Sequence, residues 1–433
     1  MTDRNDDSKV TQENPDAAVI AQFKEAVQHN DPEAVERLLR QHPPLAGRID
    51  EPWFSFDAPA IVVAAGGGHR AMVDVLLAHG ADINARSRWW AGGFGVLHHD
   101  HYDLSRYLIE RGARVDPYAA AALGLLDTLR RMIDEDPDAV NRRGPDGQVP
   151  LHAAVSPDVI DFLLERGADL DMRDIDHNGT PAQYAVNQPD KCRHLLARGA
   201  KPDMLMACKL GDAELVRRLL EEDPDAIQAQ VGKGEFTAPG EHIYAYAIGP
   251  GARPLFLAGR LGREEIAELL LSYSSDEQRF LFACMQADAE TVRLLLGKQP
   301  ELIRSLKPED RGVLADAAAE HRADAVRLML DVGFDADARP EGSAMTALHR
   351  AALHGDAAIV RLLAERGASI AIRNEFGGTP LNSCIWGSLH FQDPAGDYAA
   401  VAEILVDAGV PLPEQAAGSE SVKRVLVRHG VPA

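Results

Sequence analysis

The chain is poor in cysteine, in aromatic residues and in long apolar runs. Its four cysteines stand far apart among 433 residues and form no C-x-x-C pair, a pattern typical of small buried thiols in a reducing compartment. No apolar run approaches the ~18 residues that a membrane helix needs. The first residues, MTDRNDDSKVTQENPD, are polar and lack the apolar core of a signal peptide. We therefore expect a cytoplasmic protein without a membrane-spanning segment.

Positive charge is also scarce in this chain. The sequence has 45 lysines and arginines against 67 aspartates and glutamates, a net charge of −22. No run of basic residues offsets this acidic excess. A surface of this sign repels phosphate backbones and anionic lipid. The charge balance therefore argues against nucleic acid and against a membrane surface as partners.

Short motifs with an apolar stretch followed by glycine recur along the chain at nearly constant spacing. They include VLLAHGADIN, YLIERGARVD, DFLLERGADL and RLLAERGASI. Gly80 and Gly112 lie 32 residues apart, as do Gly167 and Gly199, which is close to the period of one helix pair plus a turn. Paired apolar residues at helical spacing precede each glycine. We expect the glycine to end the second helix of each pair in the left-handed conformation.

Other positions mark where helices begin and where a second type of unit ends. Proline opens the first helices in VPLHAAV, TPAQYAV and TPLNSCI, where its missing N–H costs no hydrogen bond. Threonine or a neighbouring residue can cap the first turn. In MIDEDPDAV and LLEEDPDAI, proline stops the helix instead of glycine. Pro137 and Pro224 lie 87 residues apart in nearly identical stretches, which indicates that a block of repeats was duplicated.

Together these motifs resemble the ankyrin-repeat family, and TALHRAALHGDAAIVRLLAERGASIAIRNEFGGTPL is its most specific stretch. The resemblance implies an all-α fold, a solenoid of about twelve helix pairs with β-hairpin fingers. It covers one continuous array over residues 15–433, after a disordered tail at residues 1–14. It also implies that His98, His152 and His349 match the family's structural histidine, which hydrogen-bonds loop backbone between units.

The stretch NARSRWWAGGFGVLHHDH, residues 84–101, departs from the repeat. Trp89 and Trp90 occupy a finger that normally carries small or polar residues, where they either cap a neighbouring finger or anchor a ligand. On a helix, His98 and His101 would share one face and could hold a metal ion. The sequence indicates no further metal ligands, so we predict no metal site and no cofactor. Histidines that line a groove, among them His99, fit the stretch better.

Two further departures add polar and aromatic side chains. The stretch RDIDHNGTPAQYAVNQ precedes and includes a helix start, and an expanded finger covers residues 231–253. The alternation in HIYAY predicts a strand with one polar-aromatic face within this finger. The candidate site residues in these two stretches are Asp176, His177, Tyr184, His242, Tyr244 and Tyr246.

The last full repeat, residues 379–413, is also expanded and adds Trp386 and His390. Arg350 stands next to the structural His349, where we expect it to point into the same groove. Fingers and first helices of the family line one concave face, so these departures are expected to meet there. We expect alanine at His99, His177 or His242 to change stability by only about 0.5 kcal/mol, as at ordinary surface sites.

Two functional hypotheses follow. The first is a non-catalytic binding module whose concave groove, lined by aromatic residues and histidines, receives a protein partner. The second is an enzyme or small-molecule binder, in the form of an acid–base hydrolase or lyase for a sugar-like or ring-shaped substrate. No nucleophile elbow, P-loop or H-E-x-x-H motif supports the second. Its acid–base candidates are Asp176, His177, His242 and Tyr244, and its ligand-binding candidates are Trp89, Trp90, His99, His101, Tyr184, Tyr246, Arg350, Trp386 and His390.

Overall fold

The computed structural model describes residues 17–307, 310–340 and 344–433. The tail predicted at residues 1–14 lies outside these described residues. The contacts divide the chain into two compact units, Met1–Leu261 and Gly262–Ala433, and each is described by itself. A single array over residues 15–433 therefore stays a prediction.

The described residues are all-helical, as predicted. The first unit contains α1 to α16: Ala17–Gln28, Pro32–Gln41, Pro43–Ala46, Ala60–Gly66, Arg70–Ala78, Tyr102–Glu110, Pro117–Ala122, Leu126–Glu135, Pro150–Ala153, Pro157–Glu165, Pro181–Tyr184, Pro189–Ala197, Met204–Leu210, Ala213–Glu222, Ile243–Ala247 and Pro254–Arg260. The second unit contains α17 to α27: Glu264–Tyr273, Asp276–Met285, Ala289–Lys298, Leu302–Ser305, Val313–Ala319, Ala323–Val332, Ala347–Leu353, Ala357–Glu365, Pro380–His390, Tyr398–Asp407 and Glu420–Arg428. Short 3-10 helices cover Ser55–Asp57, Pro137–Asn141, Pro145–Gly147, Ala185–Asn187, Pro224–Gln228 and Gly234–Phe236.

The helices pack as successive pairs. Within a pair, the first helix contacts the second, as α7 contacts α8 and α23 contacts α24. Between pairs, first helices pack on first helices, since α21 contacts α23 and α23 contacts α25. Second helices do the same from α22 to α24 to α26. Alanines and leucines on the faces where these helices meet are buried. The core of each unit is therefore a stack that every further repeat extends.

The predicted helix boundaries are confirmed where their capping residues are described. The amide of Gln183 donates to Thr180 Oγ1 at 3.3 Å, and Pro181 fills the first helical position. Gly80 and Gly167 end their helices at φ angles of 94° and 87°, which an L side chain adopts only with strain. In the two duplicated stretches, Asp136 and Asp223 each cap the short 3-10 helix that begins at the following proline.

In several repeats, one side chain accepts from the backbone amide three residues earlier, at or near the place where the first helix begins. The amide of Val149 donates to His152 Nδ1 at 3.1 Å. Burial lowers the pKa of His152 to about 4, so the ring is neutral and its Nδ1 accepts a hydrogen bond. The same bond recurs from Gly95 to His98 at 2.9 Å, from Thr180 to Gln183 at 3.0 Å, from Thr346 to His349 at 3.3 Å and from Thr379 to Asn382 at 2.9 Å.

The other end of this side chain reaches the next repeat along the stack. His152 Nε2 donates to the carbonyl of Gly179, and His349 Nε2 donates to that of Gly378, both at 3.1 Å. In place of histidine, Gln183 donates to the carboxylate of Asp203 at 3.0 Å. The structural role expected of His152 and His349 is confirmed. We call this pair of hydrogen bonds, one to the preceding loop and one to the next repeat, the inter-repeat bridge.

Two local predictions are wrong and a third is not confirmed. Residues 92–101 form turns rather than a first helix, so His98 and His101 share no helical face. The HIYAY stretch forms helix α15, because His242 caps it by accepting the amide of Tyr244 at 3.1 Å. Among the described residues no strand occurs, and Phe54 and Ala58 form an isolated bridge. The expected β-hairpin fingers are therefore not confirmed.

Replacing His152 tests the inter-repeat bridge. We expect His152→Ala to lower the free energy of unfolding by roughly 1–3 kcal/mol, because two buried backbone groups lose their partner. His152→Gln should recover much of this loss, since Gln183 forms both bonds with an amide. Urea unfolding followed by circular dichroism measures both variants. Equal losses in the two variants would show that ring packing, not hydrogen bonding, carries the effect.

Candidate functional site

The loop that carries the two tryptophans is pinned at its base. The amide of Ser87 donates to the carbonyl of Phe94, and the amide of Phe94 donates to Ser87 Oγ, both at 2.8 Å. Gly93 lies so close to this base that a Cβ atom would meet the Ser87 carbonyl oxygen at 2.2 Å. The glycines of this stretch thus allow a tight loop with Trp89 and Trp90 at its tip.

The second departure from the repeat meets this loop directly. Trp89 Nε1 donates to Asp176 Oδ2 at 3.2 Å, although 87 residues separate them in the sequence. The Asp174 carboxylate shapes the segment, because it accepts the amides of His177 at 2.7 Å and Gly179 at 2.6 Å. These bonds turn Asp176 toward Trp89.

The expanded finger, residues 231–253, contacts the segment around His177. His177 Nδ1 lies 3.0 Å from the carbonyl of Glu241, and the amide of Ile243 donates to the His177 carbonyl at 3.1 Å. Asn178 Nδ2 donates to the Thr237 carbonyl at 2.8 Å. Three of the four departures from the repeat therefore lie together in the first unit.

Their side chains form one continuous surface. The ring centroids of Phe56 and Trp89 lie 5.0 Å apart, those of Trp89 and Trp90 lie 6.0 Å apart, and those of His177 and Tyr246 lie 5.2 Å apart. Phe56, Trp90 and Tyr246 are 51%, 57% and 65% exposed. We call this the aromatic–acidic surface, which consists of Phe56, Trp89, Trp90, Asp146, Asp176, His177 and Tyr246.

Asp146 is a member of this surface that the sequence did not reveal. Its amide donates to the Gly92 carbonyl, and its carbonyl accepts the amides of Ile175 and Asp176, with all three bonds at 3.0–3.2 Å. Asp146, Asp176 and His177 place one donor atom each within 4.8 Å of one another. Burial, and then the charge of Asp176, raise the pKa of Asp146 to about 6. The Asp146 carboxyl therefore takes up a proton at a higher pH than an ordinary aspartate does.

His242 and Tyr244 lie beneath this surface rather than on it. His242 is 2% exposed and packs edge-on against Phe236 at 5.6 Å. Tyr244 is completely buried, and its hydroxyl donates to Asp203 Oδ2 at 2.7 Å. The expectation that His242 behaves as a surface residue is wrong, because its ring fills the interior of the expanded finger. Neither side chain reaches a solvent-borne substrate directly.

The remaining candidates of the first unit bond within the scaffold. His101 Nε2 lies 3.1 Å from the Gly66 carbonyl, and the His101 amide donates to His99 Nδ1 at 3.0 Å. Burial lowers the pKa of His99, as does the charge of His101. The ring of Tyr184 packs edge-on against that of the bridging His152, with centroids 5.2 Å apart.

The candidates Arg350, Trp386 and His390 belong to the second unit. Trp386 is 50% exposed, and its ring lies 4.7 Å from that of His390. The half-buried Arg350 has a buried Nε atom without a hydrogen-bond partner among the residues that the structure describes. Phe391, which follows His390, packs against His354 with centroids 4.8 Å apart.

Comparison with known families decides what the scaffold is. The family model described as ankyrin repeats in three copies matches residues 117–206, 280–374 and 317–391. The model of a single ankyrin repeat matches residues 59–88. The chain belongs to the ankyrin-repeat family. The departures at residues 84–101 and 231–253 lie mostly between the matched segments of this ankyrin-repeat chain.

Its similarity to individual proteins is limited to parts of them. The chain is 26% identical over 319 residues to ankyrin repeat domain-containing protein SAT10 of Stachybotrys chartarum, covering 63% of this chain and 16% of that protein. It is 39% identical over 99 residues to human ankyrin repeat and KH domain-containing protein 1, covering 23% of this chain and 4% of that protein. The chain thus spans less than a fifth of the length of either relative.

Among solved structures, an ankyrin repeat domain from Acinetobacter baumannii is 18% identical, with 52% of this chain and 97% of that chain covered. The TM-score of 0.28 is too low to support an inference about shape or function. Within the described part of the chain, no helix has the length and apolar character needed to cross a membrane.

Asp146 should make stability depend on pH. A carboxyl group whose pKa is higher in the folded state than in the unfolded chain loses stability as pH rises between the two values. The stability of the wild type should therefore fall, relative to Asp146→Asn, from about pH 4 to about pH 6 and then level off. Urea midpoints of both proteins across this range measure the difference. A constant difference across the range would show that the pKa of Asp146 is not raised.

The two tryptophans should differ in their contribution to folding. Trp89 is half-buried and bonded to Asp176, so Trp89→Ala should cost about 2 kcal/mol or more through lost packing and an unpaired carboxylate. Trp90 is exposed, so Trp90→Ala should change stability by about 0.5 kcal/mol. Circular dichroism followed through urea unfolding gives both values. Similar losses from both variants would mean that Trp90 also packs into the scaffold.

Proposed function

We propose that the protein is a non-catalytic binding module and that its aromatic–acidic surface receives a protein partner. In this proposal the surface forms part of the concave groove expected of about twelve stacked repeats. The observation that carries it is the meeting of three separate departures from the repeat, two through the Trp89–Asp176 bond and the third through the contact of His177 with Glu241. Residues committed only to stacking would not need this contact.

The chemistry of the surface favours a basic segment on that partner. Exposed aromatic rings attract arginine and lysine through cation–π contacts, and carboxylates accept charge-assisted hydrogen bonds from them. Trp90 and Tyr246 provide exposed rings. The half-buried Asp146 provides a carboxylate beside them, and the buried carboxylate of Asp176, which accepts from Trp89, lies at the base of the surface. The net charge of −22 also attracts a cationic partner over a distance.

An apolar pocket next to Phe56 extends this surface. Val63, Gly66 and Phe94 are among its lining residues. Interfaces combine an aromatic or aliphatic anchor in such a pocket with polar contacts around it. The partner segment in this proposal therefore presents an apolar side chain to the pocket and a basic one to the carboxylates.

A second candidate function is an acid–base enzyme for a sugar-like or ring-shaped substrate. The specific observation in its favour is the carboxylate pair, in which burial, and then the charge of Asp176, raise the pKa of Asp146 to about 6. A carboxyl group with such a pKa can act as a proton donor or acceptor close to neutral pH. In this version Asp146, Asp176 and His177 carry the chemistry, while His242 and Tyr244 support the finger from below.

A peptide titration tests the binding proposal. The probe is a short peptide with one leucine and two arginines in a glycine–serine background, and the control peptide has glutamates in place of the arginines. Trp90→Ala and Asp176→Asn should each weaken binding of the arginine peptide about tenfold or more, as measured by isothermal titration calorimetry. Trp386→Ala is the matched control, because it removes an equally exposed tryptophan from the other unit.

The result separates the alternatives. Equal weakening by Trp386→Ala, or equal binding of the glutamate peptide, contradicts a specific basic partner at this surface. Hydrolysis of a chromogenic glycoside that is lost in Asp146→Asn and Asp176→Asn, but kept in Trp386→Ala, would favour the enzyme instead.

A further inference from the structure

The second unit, Gly262–Ala433, contains a cluster of histidine and aspartate side chains that has no part in the aromatic–acidic surface. His321 follows α21, His354 follows α23 and Asp393 follows α25. Because α21, α23 and α25 pack on one another in succession, the turns after them lie side by side. The sequence did not indicate this cluster, since 33 and 39 residues separate its members.

The donor atoms of the cluster converge on one carboxylate oxygen. Asp393 Oδ2 lies 3.2 Å from His321 Nε2 and 3.5 Å from His354 Nδ1. A tetrahedral zinc ion with ligand bonds of about 2.0–2.1 Å holds its donor atoms about 3.3 Å apart. The two distances to Asp393 Oδ2 therefore match the spacing of zinc ligands, and all three donor atoms lie within 4.8 Å of one another.

Neighbouring groups fix the orientation of two of the ligands. His321 Nδ1 lies 2.9 Å from Asp356 Oδ2, while Asp356 Oδ1 accepts the amide of Ile359 at the start of α24. Asp393 Oδ1 accepts the amide of Ala395 at 3.0 Å, which leaves Oδ2 for the cluster. A carboxylate bonded to the far nitrogen of a ligand histidine is the common outer contact of zinc sites.

The turn position of His321 is glycine in several other helix pairs. His321 has a φ angle of 57°, and Gly211 and Gly355 occupy the corresponding position in their pairs. Asn30 and Ala287 adopt the same conformation, at φ angles of 53° and 56°, so the angle by itself does not mark a site. Histidine at this position places an imidazole where those glycines have no side chain.

We propose that His321, His354 and Asp393 form a binding site for a divalent transition-metal ion of the zinc class. Two imidazoles and one carboxylate suit zinc rather than magnesium or calcium, which prefer oxygen ligands. Three protein ligands leave a fourth position for water or for a ligand from a partner. The site lies in the second unit and does not depend on the binding function proposed for the first. It replaces our expectation from the sequence that the chain binds no metal.

Zinc titration of the full chain, after chelator treatment, tests the site. The wild type should bind one Zn²⁺ tightly in isothermal titration calorimetry, and Co²⁺ should give the visible absorption of a four-coordinate ion. His321→Gly restores the residue of the other turns and should fold normally, but it should bind zinc at least about 100-fold more weakly. Asp393→Asn should do the same. Asp356→Asn keeps the helix cap and should weaken binding about 10- to 100-fold through the orientation of His321.

A matched control separates this site from a second group of possible metal ligands in the same unit, Glu403, Asp407 and His429. His429 Nε2 lies 3.0 Å from Glu403 Oε1 in the same unit, and His429→Ala should leave the tight zinc affinity unchanged. Zinc should also raise the melting temperature of the wild type but not that of His321→Gly. Unchanged zinc affinity in His321→Gly and Asp393→Asn, or the absence of tight binding by the wild type, would overturn the proposal.

Discussion

The inter-repeat bridge is the interaction on which the rest of the scaffold depends. Several first helices are very short, and α9 and α11 contain four residues each. Helices of this length are not stable alone in water, because the conformational entropy lost in fixing the first turn outweighs the free energy of its hydrogen bonds. The bridging histidine or amide side chain supplies the missing stabilisation. It forms one hydrogen bond to the loop before its own helix and one to the next repeat. Stacked repeats therefore hold one another's loops in place, and the loops in turn hold the functional side chains.

The sequence predicted the scaffold well because the scaffold repeats. Glycines that end helices, prolines that begin them and the bridging residue at His152 and His349 each have one local physical cause that recurs. The alternation in HIYAY failed as a predictor because a cap, His242, and burial of Tyr244 favour a helix over a strand. Segments that occur once offer no second copy against which a local pattern can be checked.

The functional clusters were only partly predictable for a different reason. Trp89, Asp176 and His177 stood out as departures from the repeat, but Asp146 looked like an ordinary turn residue. Its role comes from contacts with loops on either side, which the sequence does not record. His321 carried a weak signal, a bulky residue at a glycine position. In both units, acidic and imidazole groups meet where turns of successive repeats lie side by side.

The turns at residues 92–101 have a consequence for the dynamics of the first unit. Other repeats there contribute a hydrogen-bonded first helix to the stack, whereas this one contributes irregular backbone. In a linear array, local opening begins at the weakest junction between neighbours. Amide hydrogens in and around these residues should therefore exchange with solvent sooner than those of the flanking helices. A ligand that contacts Trp90 and Asp176 together would span this weak junction, so binding and local rigidity would increase together.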